Sequence, residues 1–396
     1  NDVKIRSGET RVLYAVIGMS DSETKKRAEE MIRKAERGQY GAYASLWKRN
    51  LPDFSDERDN VRRREMYWNS HMLEASAMYD GYFKETFIPQ GGDCTYRYGE
   101  NLSNVNHLHA ALPMCYANKD LAKSIIRYVM KHSDMLGRIS AGNIGYGHLV
   151  PETMLDGDIQ AEMLHVVSEY LRITDDYAFL DELVDIYPVG SGLKKTVLQM
   201  IEGYFLYLRD EVGKGTDEYD VHFFTDRHAY NSRSHENYAL LASVLPNLAM
   251  QLKISGKGSE RFIKSIERYH GELEKAFLED HSAGKYAPGP YLTHMPAIPT
   301  YEKRESYLDE FPDNPDGMRI SYMYQIITGV ADFDRIDASS LSRSLSFNKL
   351  AESFPGTWVG FWTSQDLIDG RTIGLHTAYS SLPHAWALYS YFKMME

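Results

Sequence analysis

The amino-acid sequence predicts an all-α body in which helical hairpins close into an (α/α)6 barrel, preceded by a short β-hairpin and linker helices. Two observations lead to this fold class. Apolar residues recur at helical spacing in about ten or eleven segments after residue 55, whereas patterns typical of strands are almost absent there. Short turns also alternate with long loops, as expected when all elaborate loops lie at one end of a barrel.

The N-terminal part is expected to differ from the barrel. Within the first 20 residues, KIRSGETRVLYAVI (4–17) has the pattern of two short strands around a Ser-Gly turn. A lone hairpin is marginal in water, so we expect it to belong to a larger β-domain or to pack on the helical body. Residues 21–54 are expected to be linker helices, since 22–38 is highly charged, begins with serine and ends with glycine. The barrel domain is expected to span 55–396.

Helical patterns and loops alternate along the barrel region. The predicted helices are 56–79, 103–116, 119–132, 157–174, 177–186, 193–212, 235–254, 259–279, 318–330, 338–353 and 377–394. The long loops are 81–102, 137–157, 213–234, 281–317 and 354–376. An α-solenoid is the alternative, but the sequence shows no self-similarity at about 34 or 40 residues, and solenoid repeats seldom carry such loops.

Composition and motifs exclude several partners. The net charge of −12 argues against nucleic acid and anionic membranes and is compatible with a neutral sugar. No apolar run approaches about 18 residues, so we expect no membrane span. Nucleotide-binding glycine motifs and a serine nucleophile elbow are absent from the sequence, so we expect no cofactor. The chain opens on Asn1 without a signal-peptide pattern, which leaves cytoplasmic and periplasmic locations open.

Cysteines and histidines give no metal or disulfide signature. Cys94 and Cys115 are too few to form a disulfide framework, and two buried free thiols are expected. His107 and His109 are two residues apart, which places them on different faces of a helix, and no third ligand follows at a recognised distance. We therefore expect no bound metal.

Acidic residues cluster where one loop enters a helix. Asp156 and Asp158 lie at the start of predicted helix 157–174, with Glu162 one turn further on. An Asp at this position is commonly an N-cap. It can also be a general acid, because an adjacent carboxylate and partial burial raise a carboxyl pKa.

A second acidic cluster lies where another loop enters a helix. Asp226 precedes predicted helix 235–254 and Glu236 lies in its first turn. Arg227 and Arg233 could keep either carboxylate ionised, as a general base requires. The alternative is a surface salt-bridge network.

Aromatic, amide and imidazole side chains supply a candidate sugar-binding set. Tyr and Trp rings offer flat apolar faces to sugar rings, and the 29 tyrosines also carry a hydroxyl group. Core packing is the alternative for each ring. The candidate substrate-binding residues are Trp68, Asn69, His71, Tyr98, Asn106, His148, Trp362, Asp366 and His384.

Residues 145–182 resemble part of the catalytic (α/α)6 barrel of the cellobiose and chitobiose phosphorylases and the glycosidase-like proteins related to them. In that group an acidic pair leads into a helix and then an "aEYl..TgD..FLde" stretch. This chain has Asp156-Gly157-Asp158, then SEYL at 168–171 and TDDYAFLDE at 174–182. YWNSHMLEA (67–75) and FTDRHAYN…SHENYALL (224–241) resemble two further regions of the group.

The resemblance implies site residues as well as a fold. The family's catalytic Asp, which protonates the glycosidic oxygen, matches Asp158 or, one step away, Asp156. Asp226 and Glu236 match acidic positions. The family's sugar-holding Arg-Asp pair is missing from VNHLH at 105–109, which puts the usual glucose-type subsite in doubt. The phosphate-holding GTAGW loop of the phosphorylases also has no good counterpart, so water is the expected acceptor.

The sequence therefore predicts a glycoside hydrolase acting on an oligo- or polysaccharide, with inversion at the anomeric carbon. Asp158 would be the general acid, and Glu236 or Asp226 the general base. A phosphorylase that uses inorganic phosphate and a non-catalytic glycan-binding module are the alternatives. A homodimer is left open.

Overall fold

The computed structural model describes residues 7–10, 24–38, 51–89, 104–150, 158–212, 235–282, 385, 388–389, 391–392 and 395–396. It divides the chain into two compact units, Asn1–Pro52 and Asp53–Glu396. In the first unit, residues 7–8 form the predicted turn and helix α1 spans Thr24–Glu36. The strands predicted within residues 4–17 lie outside the described residues, apart from their turn.

The second unit is mainly helical. Its helices are α2 (Asn60–Ala75), α3 (Asn104–Ala117), α4 (Lys119–Met130), α5 (Asp158–Thr174), α6 (Val197–Tyr207), α7 (His235–Ser255) and α8 (Glu260–Ser282). A π-helical turn, Leu208–Val212, extends α6. Predicted helices 318–330 and 338–353 lie outside the described residues. Within the described part, every helix is too short or too polar to cross a membrane.

Helices α3, α5 and α7 pack side by side and run in the same direction. Arg172 Nη2 donates to Tyr116 Oη over 2.8 Å, which joins the last turns of α5 and α3. Tyr177, just beyond α5, donates through its hydroxyl to Gln251 Oε1 near the end of α7, over 2.9 Å. Because the three C-termini meet at one end, the three N-termini meet at the other.

Each of these three helices also packs against the helix that follows it: α4 on α3, α6 on α5 and α8 on α7. Asn118 alone separates α3 from α4, and its side chain accepts a hydrogen bond from Leu121 N, which caps α4. Residues 256–259 separate α7 from α8. The described helices therefore form an inner layer (α3, α5, α7) and an outer layer (α4, α6, α8). The all-α barrel predicted from the sequence is confirmed.

The C-terminal helical residues join the inner layer. Tyr389 Oη lies 3.2 Å from His165 Nε2, in the middle of α5. Arg172 Nη2, in the last turn of α5, donates to Glu396 Oε1 over 2.7 Å. Since these contacts progress from the middle of α5 to its C-terminal end, this segment runs parallel to α5.

Two small antiparallel sheets lie between the helices. Strand β1 (Met78–Asp80) pairs with β2 (Glu85–Phe87), and β3 (Leu183–Asp185) pairs with β4 (Lys194–Thr196). The second sheet corrects the prediction of a helix over 177–186, where only a 3-10 helix, Tyr177–Asp181, is present. Because β4 occupies Lys194–Thr196, the helix predicted to begin at residue 193 begins at Val197 instead.

The reason for this correction is local. Pro188 disfavours α-helical backbone at the residue before it, and its lack of an N–H interrupts a helix. Gly190 and Gly192 have φ of +86° and +87° and turn the chain so that β4 can return along β3. The proline and the two glycines are a hairpin signal in the sequence, and in the structure this signal prevails over the helical periodicity of 177–186.

Apolar side chains fill the space between the two layers. In α4, for example, Leu121, Ile125 and Val129 recur every fourth residue and are buried. Burial of each such side chain stabilises the fold by roughly 1.5–3 kcal/mol. Cys115 is a buried free thiol, as predicted, and burial raises its pKa well above the ordinary value. Cys94 lies outside the described residues.

Candidate functional site

Three candidate residues occupy the first turns of the three parallel inner helices. Asn106 is the third residue of α3, Asp158 is the first of α5, and Glu236 is the second of α7. Because α3 packs on α5 and α5 packs on α7, these turns are neighbours at one end of the barrel. We call this the N-terminal end. The side chains of Asp158 and Glu236 lie outside the described part, although their backbone is described.

A helix N-terminus favours an ionised carboxylate, since unpaired N–H groups and the helix dipole stabilise negative charge by about 0.3–1 kcal/mol. This suits Glu236 as a base that must be ionised. Asp158 needs the opposite influence to act as an acid, which is a nearby negative charge.

A carboxylate lies one turn further along α5, at Glu162. This carboxylate is only 1% exposed. Its Oε1 accepts a hydrogen bond from His109 Nε2 of α3 over 2.9 Å, and its Oε2 accepts one from His165 Nδ1 over 3.3 Å. Burial alone would raise the pKa of Glu162, but the charge interaction with His109 and the hydrogen bonds from His109 and His165 lower it to about 2. Glu162 is therefore ionised at neutral pH.

The hydrogen bonds of Glu162 continue across the inner layer. His165 Nδ1 donates to Glu162, and the other ring nitrogen, Nε2, lies 3.2 Å from the hydroxyl oxygen of Tyr389. Burial raises the pKa of Tyr389 well above the ordinary tyrosine value, so this hydroxyl stays protonated and can donate. The chain from His109 to Tyr389 links α3, α5 and the C-terminal segment through buried groups.

The loop that leads from α4 toward α5 is fastened to the N-terminal end by a second buried chain. Asn104 Nδ2 donates to Ser140 O over 2.6 Å, and Asn104 Oδ1 accepts from His132 Nδ1 over 3.0 Å. Asn143 Nδ2 lies 3.4 Å from His132 Nε2 and donates to Tyr128 Oη over 2.6 Å. Burial, together with nearby His107, lowers the pKa of His132 well below its usual range, so the ring is neutral.

The structure separates the other described candidates by their exposure. Asn69 and Asn106 are fully buried, Trp68 is 39% exposed, His71 is partly exposed and His148 is exposed. Trp68 and Asn69 are consecutive in α2, so about 100° of helix rotation separates their directions. His148 belongs to the loop fastened to the N-terminal end, together with Asn143.

Several candidates lie outside the described residues: Asp156, Asp226, Tyr98, Trp362, Asp366 and His384. Their proposed roles stay predictions.

The paired histidines of α3 contact protein groups. His107 Nδ1 lies 2.8 Å from the carbonyl oxygen of Ile88, and His109 contacts Glu162. Across the described ranges, no group of three or more His, Cys, Asp or Glu side chains is arranged to hold a metal ion.

Sequence reasoning missed the two partners of Glu162, His109 and His165, and the contact of His165 with Tyr389. One signal was available. Positions 158, 162 and 165 are spaced i, i+4 and i+7, which puts three ionisable side chains on one face of the predicted helix. The contact with Tyr389 joins positions 224 residues apart and has no local signal.

Comparison with solved structures finds a similar protein, a rhamnosidase from Klebsiella oxytoca with rhamnose bound. It shares 15% sequence identity with this chain at a TM-score of 0.49, and the match covers 87% of this chain and 65% of the rhamnosidase chain. This chain thus spans somewhat less than two thirds of the length of that protein. Neither a protein-family model nor a curated protein matches the chain.

Proposed function

We propose that this protein is a glycoside hydrolase that cleaves an oligo- or polysaccharide with inversion at the anomeric carbon. The observation that carries the proposal is that two acidic residues, Asp158 and Glu236, begin neighbouring parallel inner helices at the same end of the barrel. Carboxyl groups on adjacent helices can flank a glycosidic bond, as the pair of acids in glycosidases does.

In this proposal Asp158 is the general acid. It donates its proton to the glycosidic oxygen as the bond to the anomeric carbon breaks, and the leaving sugar departs as an alcohol. The ionised Glu162 lies one helical turn away, where Cβ atoms are about 5–6 Å apart. A carboxylate at this distance favours the protonated form of the Asp158 carboxyl, and the charge interaction of Glu162 with His109 offsets part of this effect. The protonated form is the one that an acid needs at the start of the reaction.

Glu236 or Asp226 is the general base. It removes a proton from a water molecule, whose oxygen attacks the anomeric carbon from the face opposite the leaving group. The position of Glu236 in the first turn of α7 favours its ionised form. Inversion requires carboxyl groups about 6.5–9.5 Å apart, which leaves room for that water.

A panel of oligosaccharides and aryl glycosides, with NMR detection of the first-formed anomer, tests the activity. Asp158→Asn should lower kcat by about 10²–10⁴-fold on substrates with poor leaving groups and by less on dinitrophenyl glycosides, because a good leaving group needs little protonation. Glu236→Gln and Asp226→Asn identify the base, since the true base variant should lose activity on both substrate types. Asp120→Asn is the matched control, because Asp120 lies in the first turn of α4 at the opposite end of the barrel.

Three outcomes would contradict the proposal. Sugar 1-phosphate released only when phosphate is supplied would identify a phosphorylase. Binding without turnover would identify a glycan-binding module. Unchanged hydrolysis by Asp158→Asn would remove Asp158 from the mechanism.

A further inference from the structure

The loop between α4 and α5 contains a tight turn at residues 143–149, which we call the tip, and Tyr146 in this turn is exposed to solvent. Asn143 and Leu149 form an isolated antiparallel bridge at its base. Ile144 N donates to His148 O over 2.8 Å, and His148 N donates to Gly145 O over 3.0 Å. Between them, Tyr146 is 96% exposed. A ring in this position buries almost no surface, so it contributes almost nothing to folding.

The backbone of this tip adopts left-handed conformations at three successive residues. Gly145, Tyr146 and Gly147 have φ of +94°, +53° and +77° in succession. Left-handed backbone costs a non-glycine residue about 1–3 kcal/mol, and such residues concentrate at functional sites. A glycine in place of Tyr146 would remove that strain, so stability does not explain the tyrosine.

The tip is also held by its neighbours. A Cβ atom on Gly147 would lie 2.5 Å from a ring carbon of Tyr82, so the Tyr82 ring covers the backbone of Gly147. Asn143 Oδ1 accepts from Gly145 N over 3.0 Å, while Asn143 Nδ2 donates to buried Tyr128 Oη over 2.6 Å. The backbone on both sides of Tyr146 is therefore held by contacts with Tyr82 and, through Asn143, with the buried Tyr128.

The position of the tip relates it to the candidate site. Asn104, the first residue of α3, binds the backbone oxygen of Ser140 in the same loop, so the loop lies at the N-terminal end of the barrel. Tyr82 is 38% exposed beside Gly147, and His148, the residue after Gly147, is also exposed. Tyr82, which contacts the backbone of Gly147, and the sequence neighbour His148 thus accompany Tyr146 at the barrel end where Asp158 begins α5.

We propose that Tyr146, with Tyr82 and His148, forms a distal carbohydrate subsite that holds a neutral pyranose ring of an extended glycan. This inference rests on the proposed function and narrows its substrate class to chains long enough to reach the tip. The flat phenol face packs on the apolar C–H face of a pyranose, while the phenol hydroxyl and the imidazole bind sugar hydroxyls. The net charge of −12 favours a neutral glycan over an anionic one.

The test measures the dissociation constants of neutral gluco-, galacto-, manno- and rhamno-oligosaccharides of two to eight units on the full chain. Tyr146→Ala should raise the dissociation constant about tenfold, which corresponds to about 1.4 kcal/mol of binding free energy. The increase should be larger for longer glycans. Tyr146→Trp should retain binding, because indole also offers a flat face. Ile254→Ala is the control, since Ile254 is 61% exposed near the C-terminus of α7, at the opposite end.

The outcomes separate this inference from the proposed function. Oligosaccharide binding that depends on Tyr146 without any hydrolysis would support the subsite and remove the hydrolase. Hydrolysis with equal length dependence in wild type and Tyr146→Ala would support the hydrolase and overturn the subsite. Three further results would overturn the subsite: no binding by wild type, an equal loss in Ile254→Ala, or a change of oligomeric state in Tyr146→Ala. The last would identify a protein interface.

Discussion

Replacement of Glu162 by Gln tests whether the buried carboxylate is ionised as the structure indicates. The substitution keeps the size of the side chain and removes its charge. The carboxamide also has a donor nitrogen in place of one acceptor oxygen, so His109 or His165 must change tautomer to stay hydrogen-bonded.

The magnitude follows from the pKa of Glu162, which is lowered from 4.5 to about 2. A difference of about 2.5 units at about 1.36 kcal/mol per unit corresponds to roughly 3 kcal/mol of stabilisation of the ionised form. Two hydrogen bonds to a charged group, at about 1.5–3 kcal/mol each, give an effect of the same order. We therefore expect Glu162→Gln to lower the free energy of unfolding by about 3 kcal/mol at pH 7.

Urea denaturation followed by tryptophan fluorescence measures this difference. Because the folded-state pKa of Glu162 is lower than its unfolded value, the stabilisation is fully present above pH 4.5 and is lost as the pH falls toward 2. The difference between wild type and variant should therefore shrink to about 2 kcal/mol at pH 3.5. Equal stabilities at pH 7, or a difference that stays constant from pH 7 to 3.5, would refute the reasoning.

The control for this experiment is Glu260→Gln. Glu260 pairs with Lys264 over 2.7 Å, but both side chains are largely exposed, at 82% and 69%. Such a surface pair contributes at most about 0.5 kcal/mol, so the control should stay within that range.

Two further predictions concern stability. Gly137→Ala should lower the free energy of unfolding by about 1–3 kcal/mol, because Gly137 has a φ of +89° and an added Cβ would lie 2.6 Å from Gly203 O. Gly271 is exposed in α8, and a Cβ added there would meet no atom within 4 Å. Gly271→Ala should therefore raise the free energy of unfolding by about 0.5–1 kcal/mol. Urea denaturation of both variants checks the opposite signs. Thr196→Ala removes the capping box formed with Gln199 at the start of α6 and should cost about 1 kcal/mol. An unchanged thermal midpoint in that variant would contradict the role of the cap.

Helix positions were accessible to sequence reasoning because their signals are local. The predicted helix 119–132 is α4, Lys119–Met130, and the predicted helix 235–254 is α7, His235–Ser255. Where the signals competed, as over 177–186, periodicity suggested a helix and the later proline and glycines produced a hairpin. The turn residues are present in the sequence, so the prediction of a helix was wrong because it gave more importance to periodicity than to these residues.

The candidate site was only partly accessible. A loop entering a helix at Asp158 can be recognised in one dimension, and so can a glycine-flanked tyrosine at 145–147. The exposure of Tyr146 and the contact between Gly147 and Tyr82 join separate segments of the chain. Only the packing of the loop against the β1–β2 hairpin determines them.

The sequence by itself determined the helical class, most helix boundaries and the acidic residues that begin α5 and α7, because periodicity, caps and turn residues act between near neighbours. The tertiary structure decided which of these helices are parallel and adjacent, and therefore that Asp158 and Glu236 share one end. It also decided the state of Glu162. A carboxylate in α5 is ionised in a buried site because His109, 53 residues away in sequence, donates a hydrogen bond to it from the neighbouring helix.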